Sequence, residues 1–185
     1  MPKKFRFPST EFECPLASHQ CTAITASGTQ CRRRTVIGVD LCWNHLLKLK
    51  HLRIKRSIIP HAGLGLFASD PSRPADAIIF RPKQMIVDYE GEDIDIHELN
   101  RRYDEETGPY AVERIENRAY QDGACERSVA SNINRSSLGL RNNARLGKGR
   151  HGHIRVYAAA NIRNGQEILV SYGRTYRMAE HSTRR

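Results

Sequence analysis

The chain of 185 residues is 39% hydrophobic and 27% charged, a composition that excludes wholesale disorder and collagen-like structure and suits one main domain plus an appendage. No run approaches the roughly 18 consecutive apolar residues of a membrane-spanning helix, and the basic opening MPKKFRFPSTEFEC lacks the apolar stretch of a secretory signal. The net charge of +10 is uneven: residues 1–56 hold 11 Lys/Arg against 3 Asp/Glu, a balance of +8, which suits phosphate contacts but equally a solvated arm.

Residues 1–13 are expected as a flexible basic N-terminus and residues 14–50 as a Cys/His unit with a short helix. Without an export signal the expected location is nucleus or cytoplasm, not secreted, where thiols stay reduced. Four of the five cysteines precede residue 43, so metal ligation is a better reading than disulfides. Cys42 and His45 form a C-x-x-H pair that a short turn can aim at one ion. Cys21 and Cys31 complete a Cys3His set, the usual closed structural zinc site. Gly28 and Gly38 stand where ligand-bearing loops must turn tightly, and Cys14 and His19 are nearby substitutes as ligands. So short a segment buries little core, so the metal would supply most of its folding free energy.

From Leu46 the run LLKLKHLRIKR reads as a short helix leading into a strand over 54–59. HAGLGLFA, AIIF and QMIVDYEGE then read as short strands of a small, mostly antiparallel β fold. DIDIHELNRRYDEE is the one helical insert, with Ile94, Ile96 and Leu99 on its apolar side. YAVERIENRAYQDG reads as a hairpin turning at Glu116 and Asn117. HIRVYAAANI and QEILVSY are the last strands, joined by the turn Arg163, Asn164 and Gly165.

Two resemblances follow from these residues. The run from Cys21 to His45 resembles a short Cys/His unit of viral and phage proteins, which implies zinc. HAGLGLFA, VDYEGE, VASNINRSSLGLRNNA and VYAAANIRNGQEILVSYG, in that order, resemble the SET-domain protein methyltransferases, and the compact size resembles the small SET proteins of large DNA viruses. The resemblance implies a mostly β fold, the SET β-clip with pseudoknot-like threading of the chain end, over residues 51–177, followed by a basic tail at 178–185.

It also implies an activity: S-adenosyl-L-methionine-dependent methylation of a protein lysine, most plausibly in a histone tail, with homodimerisation as in the viral proteins. Tyr172 matches the catalytic tyrosine, while Tyr110 and Tyr176 match walls of the lysine channel and Tyr89 lies on the tyrosine-x-glycine strand. Gly63, Leu64 and Gly65 match the loop at the methionine end of the cofactor, and Asn134 with Arg135 matches the pair at its amino and adenine groups. Two departures stand out: Ser131 replaces an arginine thought to brace the motif, and Arg135 replaces a histidine. The rival reading is a non-catalytic nucleic-acid or chromatin-binding module on a degenerate SET scaffold. The acidic residues Asp88, Glu92, Asp93 and Asp95, continued by Asp104, Glu105 and Glu106, are expected either to attract a basic tail or to form a solvated loop.

Overall fold

A computed structural model describes residues 3–6, 12–36, 38–103, 108–114, 119–137, 139–149 and 152–172. Its elements are mostly short strands, as expected. β1 (Lys3–Arg6) pairs antiparallel with β2 (Glu13–Leu16). Helix α1 (Trp43–Lys50) buries Leu46 and stops where His51 adopts the left-handed conformation, its N–H donating to the carbonyls of Leu46 and Leu47. Lys48 and Lys50 in the last turn suit the negative end of the helix dipole. The next strand occupies 52–56, two residues earlier than expected. This β3 (Leu52–Arg56) pairs with β4 (Leu64–Ala68), whose last four residues are buried.

β5 (Ile78–Phe80) and β6 (Met85–Tyr89) lead to β7 (Glu92–Ile94) and helix α2 (Ile96–Tyr103). Asp95 caps α2, its Oδ1 accepting from the Glu98 N–H at 2.8 Å. Ile94 and Leu99 are buried as expected. Ile96 is instead 43% exposed, because the inward face of α2 is completed by Arg102 and Tyr103. β8 (Ala111–Glu113) and β9 (Tyr120–Asp122) form the expected hairpin, its turn lying outside the described residues.

A 3-10 turn at Val129–Asn132 leads into β10 (Asn134–Arg135). β11 (Ala144–Lys148) and β12 (Ile154–Ala158) join β6 in one antiparallel sheet. β13 (Ile162–Arg163) pairs with β5, and β14 (Leu169–Val170) pairs parallel with β10. The main core joins Leu46, Leu52, Leu66, Phe80, Ile154, Val156, Ile162, Ile168 and Val170. Each such side chain contributes roughly 1.5–3 kcal/mol by leaving water.

A second cluster holds the insert to the N-terminus through Leu16, Ile94, Leu99, Tyr103 and Ala124. Here the cysteine reading needs correction. Cys14 is no metal substitute: it is bonded to Cys125, 111 residues away, joining β2 to the loop after β9. The acidic stretch is corrected too. Asp88 pairs with Arg155, Asp93 with Arg114, and Glu92 with an Arg102 that Glu98 and Asp122 share, so these carboxylates are engaged within the fold rather than standing as a free acidic loop. Residues 104–106 lie outside the described residues.

Candidate active site and metal centre

The parallel pairing of β10 with β14 builds the site. Its register sets Asn134 against Leu169 and Arg135 against Val170, and the Tyr172 side chain, just beyond the end of β14, reaches back toward the start of β10. There the Tyr172 hydroxyl donates to the Ile133 carbonyl at 2.6 Å. The Tyr89 hydroxyl donates to the Tyr110 carbonyl and also meets the side chain of Ser131. Tyr89 is only 7% exposed. Burial, followed by the nearness of Tyr172, Asp122 and Tyr110, pushes its phenol far above the ordinary value, so it stays neutral. Tyr110 is half-buried, with the Arg127 guanidinium 4.2 Å from its ring centroid.

Three of the four tyrosines singled out in the sequence thus converge, with Tyr89 at the centre rather than the margin. Tyr176 lies outside the described residues. Gly91 explains the glycine of the tyrosine-x-glycine strand: a Cβ there would lie 2.6 Å from the Asp122 backbone, so the loop after β9 can close on the tyrosines only over a glycine. Asp122 is fully buried and accepts from Arg102 at 2.9 Å, Tyr103 at 2.8 Å and the Ala124 N–H at 3.0 Å, which fixes that loop.

The glycine-x-glycine loop lies at the start of β4. Asn134 reaches it, its Nδ2 donating to the Leu64 carbonyl at 2.9 Å and to Glu167 Oε1 at 3.0 Å. The sequence reading missed Glu167. It is 2% exposed and also accepts from Ser57 Oγ and the Ile58 N–H, both at 2.8 Å. A Cβ on Gly65 would stand 2.2 Å from its Oε1, so Gly65 must be glycine because this carboxylate occupies the space. Gly63, with φ +72°, faces open space, and Leu64 is 48% exposed. Gly63 and Leu64 thus present an open backbone edge above a buried carboxylate that Ser57, Ile58 and Asn134 hold in place.

Ser131 and Asn143 were also undervalued. Ser131 accepts from the Ser128 N–H at 3.2 Å, closing a reciprocal capping box, and touches Tyr89, so it braces the turn that an arginine was expected to hold. Asn143 is buried. Its Nδ2 donates to the Glu167 carbonyl at 2.7 Å and its Oδ1 accepts from the Leu169 N–H at 2.9 Å, stitching the strand end in place. Arg135 is exposed, and its backbone carries the pairing with Val170.

The metal ligands converge as well. Donor atoms of Cys21, Cys31, Cys42 and His45 lie within 4.8 Å of one another, with His45 Nδ1 3.4 Å from both Cys21 Sγ and Cys42 Sγ. A tetrahedron with Zn–S of about 2.3 Å and Zn–N of about 2.0 Å has sulfur–nitrogen edges of roughly 3.5 Å, so the set fits zinc. Burial opposes the Cys21 thiolate, but hydrogen bonds from the Cys42 and Ala23 backbone and from His45 outweigh it and bring the thiol down to about 7. Burial pushes the Cys42 thiol up. Gly28 and Gly38 both take positive φ at their turns. The unit is not separate from the main core, since Leu41 packs against both.

Comparison with known proteins agrees with this geometry. The family model described as "SET domain" matches residues 63–173. Among curated proteins none matches the chain. A solved structure, "Humanized mutant of the Chaetomium thermophilum Polycomb Repressive Complex 2 bound to the inhibitor GSK126", is similar in fold with a TM-score of 0.55 and 21% identity. The similarity covers 70% of this chain and 16% of that one, so this chain matches only a small part of that chain's length.

Proposed function

This chain belongs to the SET domain family, and on that premise we propose that it is a protein-lysine N-methyltransferase using S-adenosyl-L-methionine. The observation that carries the proposal is the hydrogen bond that holds Tyr172, just past the parallel strand pair of β10 and β14, against Ile133 and near Tyr89 and Tyr110. When bound, S-adenosylmethionine supplies an electrophilic methyl on a cationic sulfonium. Residues 63–65, Asn134 and the backbone of Arg135 are the groups to hold it.

The chain's own task is to present a neutral, oriented amine. Holding a lysine neutral at pH 7 costs about 4.6 kcal/mol from an ordinary pKa near 10.4. Buried tyrosine faces lower that cost by disfavouring the ammonium form. Tyr172 has committed its hydroxyl proton to the Ile133 carbonyl, so toward an amine its oxygen acts as an acceptor, while Tyr89 is held between the Tyr110 carbonyl and Ser131 as a wall. Such an oxygen accepts an N–H of the amine and aims its lone pair, which is catalysis by positioning.

The resemblance extends the proposal to a histone-tail substrate, a nuclear or cytoplasmic place of action, structural zinc, a homodimer, and nucleic-acid contact through the basic N-terminal third. Residues 14–50 serve as the zinc-binding unit and 51–177 as the methyltransferase domain. With Asp88, Glu92 and Asp93 occupied, the carboxylates that support a basic substrate are Asp40, Glu90 and Glu126. They line a cavity of about 270 Å³ together with His19 and Arg127, and Glu90 directly follows Tyr89 in the chain. Burial, then Asp40 and Asp88, push the Glu90 carboxyl up, a crowding that a cationic side chain relieves.

Thermal unfolding with added cofactor tests the reading. At a hundredfold excess over Kd a ligand of the folded state adds about 2.7 kcal/mol, which for a chain of this size raises Tm by roughly 5–10 °C. No shift at millimolar S-adenosylmethionine favours the scaffold reading instead.

A further inference from the structure

The chain's single tryptophan is unusually placed. Trp43 opens α1 directly after the metal ligand Cys42, and it is 55% exposed although tryptophan is normally largely buried. The Arg33 guanidinium lies 5.4 Å from its ring centroid. Around it the unit is one-sided in charge: residues 14–50 contain five Lys/Arg against Asp40 alone. Arg32, Arg33, Lys48 and Lys50 are exposed, and among the described residues none of them forms an ion pair.

We infer that this face binds single-stranded nucleic acid, with a base stacked on Trp43 and the backbone phosphates held by Arg32, Arg33 and Lys50, which is about two helical turns from Trp43 on the same side of α1. The inference rests on the reading of the basic N-terminal third as a nucleic-acid contact and gives that contact a site and a mode. The unmatched cations define an anionic partner. The open indole adds a requirement that charge alone does not: the partner must offer a flat face. Unpaired bases do so, whereas a duplex stacks its base faces on one another and an acidic peptide has none to offer. Cys42, buried in the Cys/His cluster and directly before Trp43, fixes where the helix starts, so the binding face depends on the metal-organised turn.

Trp43 is its own reporter. Full-length zinc-loaded protein is titrated with labelled oligothymidylate of about 12 nucleotides, while tryptophan emission and label anisotropy are followed together. The expected result is saturable quenching of Trp43 in step with binding, affinity falling about tenfold in Trp43→Ala and little in Trp43→Phe. Polyphosphate should compete in proportion to salt-sensitive charge contacts without quenching. Tight salt-dependent binding with unchanged Trp43 emission overturns stacking but leaves the electrostatic contact standing. No binding at low salt overturns both. Equal affinity for duplex overturns the single-strand mode, and blue-shifted emission on phosphatidylserine vesicles without oligonucleotide quenching assigns the face to membrane. If Trp43→Ala loses its zinc, wild-type quenching and Trp43→Phe decide.

Discussion

At the scale of single residues, chemistry turns on where hydroxyl protons are committed. Tyr172 donates to Ile133, so its oxygen is left as an acceptor for an incoming amine. Tyr172→Phe keeps the ring and removes that acceptor. Methyl transfer is expected to fall by roughly 10²–10³-fold, the usual effect of deleting one preorganised polar group, with cofactor affinity nearly unchanged. Single-turnover rates beside equilibrium cofactor binding check it, and an undiminished rate removes Tyr172 from the site. Tyr172 was legible because a short motif near the chain end carries it. Glu167 was not: it sits in the apolar run Glu167-Ile-Leu-Val, and its partners Ser57, Ile58 and Asn134 are separated from it by 33 to 110 residues. A charged residue inside a buried run is itself a signal, since burial without partners is costly. Ser131 was misjudged because its role depends on a capping box and on Tyr89, neither readable from the residue it replaces.

At the scale of elements, the Cys/His unit and α1 form one device. The ligand spacing was legible because Cys21, Cys31, Cys42 and His45 lie within one short segment, where a metal has little choice of geometry. The disulfide was not, since spacing says nothing about a partner 111 residues away. The helix joins the two parts: Cys42 immediately precedes it, His45 is in its first turn, and Leu46 is in the main core. Cys42→Ala should therefore do more than free one metal. Metal analysis is expected to fall from one zinc per chain to none, and thermal unfolding of the whole chain should shift down, because structural zinc sites contribute about 10–16 kcal/mol to folding. Loss of zinc with the main transition unmoved would mean that the unit folds independently of the core behind it.

At the scale of the whole molecule, the site exists because distant pieces are tied together. β10 and β14 run parallel, Asn143 locks the returning strand, and the Cys14–Cys125 bond ties β2 to the loop beside the tyrosines. The order of motifs made the fold class legible, and the mostly β architecture follows from many short strands bounded by turns. The threading itself was implied only by family resemblance, because two-residue strands such as β10 and β14 carry almost no periodicity. The acidic stretch misled for a related reason: sequence shows the carboxylates but not Arg102, Arg114 and Arg155 folded against them. Together these ties hold the tyrosines and the glycine loop in place, as the proposed lysine methyltransferase requires. Incubation of the zinc-loaded chain with S-adenosylmethionine and core histones, followed by mass spectrometry, reads that function directly. Methyl groups should appear on lysine Nζ and be absent with Tyr172→Phe. Cofactor binding without any methylated lysine would show a SET fold that holds the cofactor but does not transfer its methyl to these lysines.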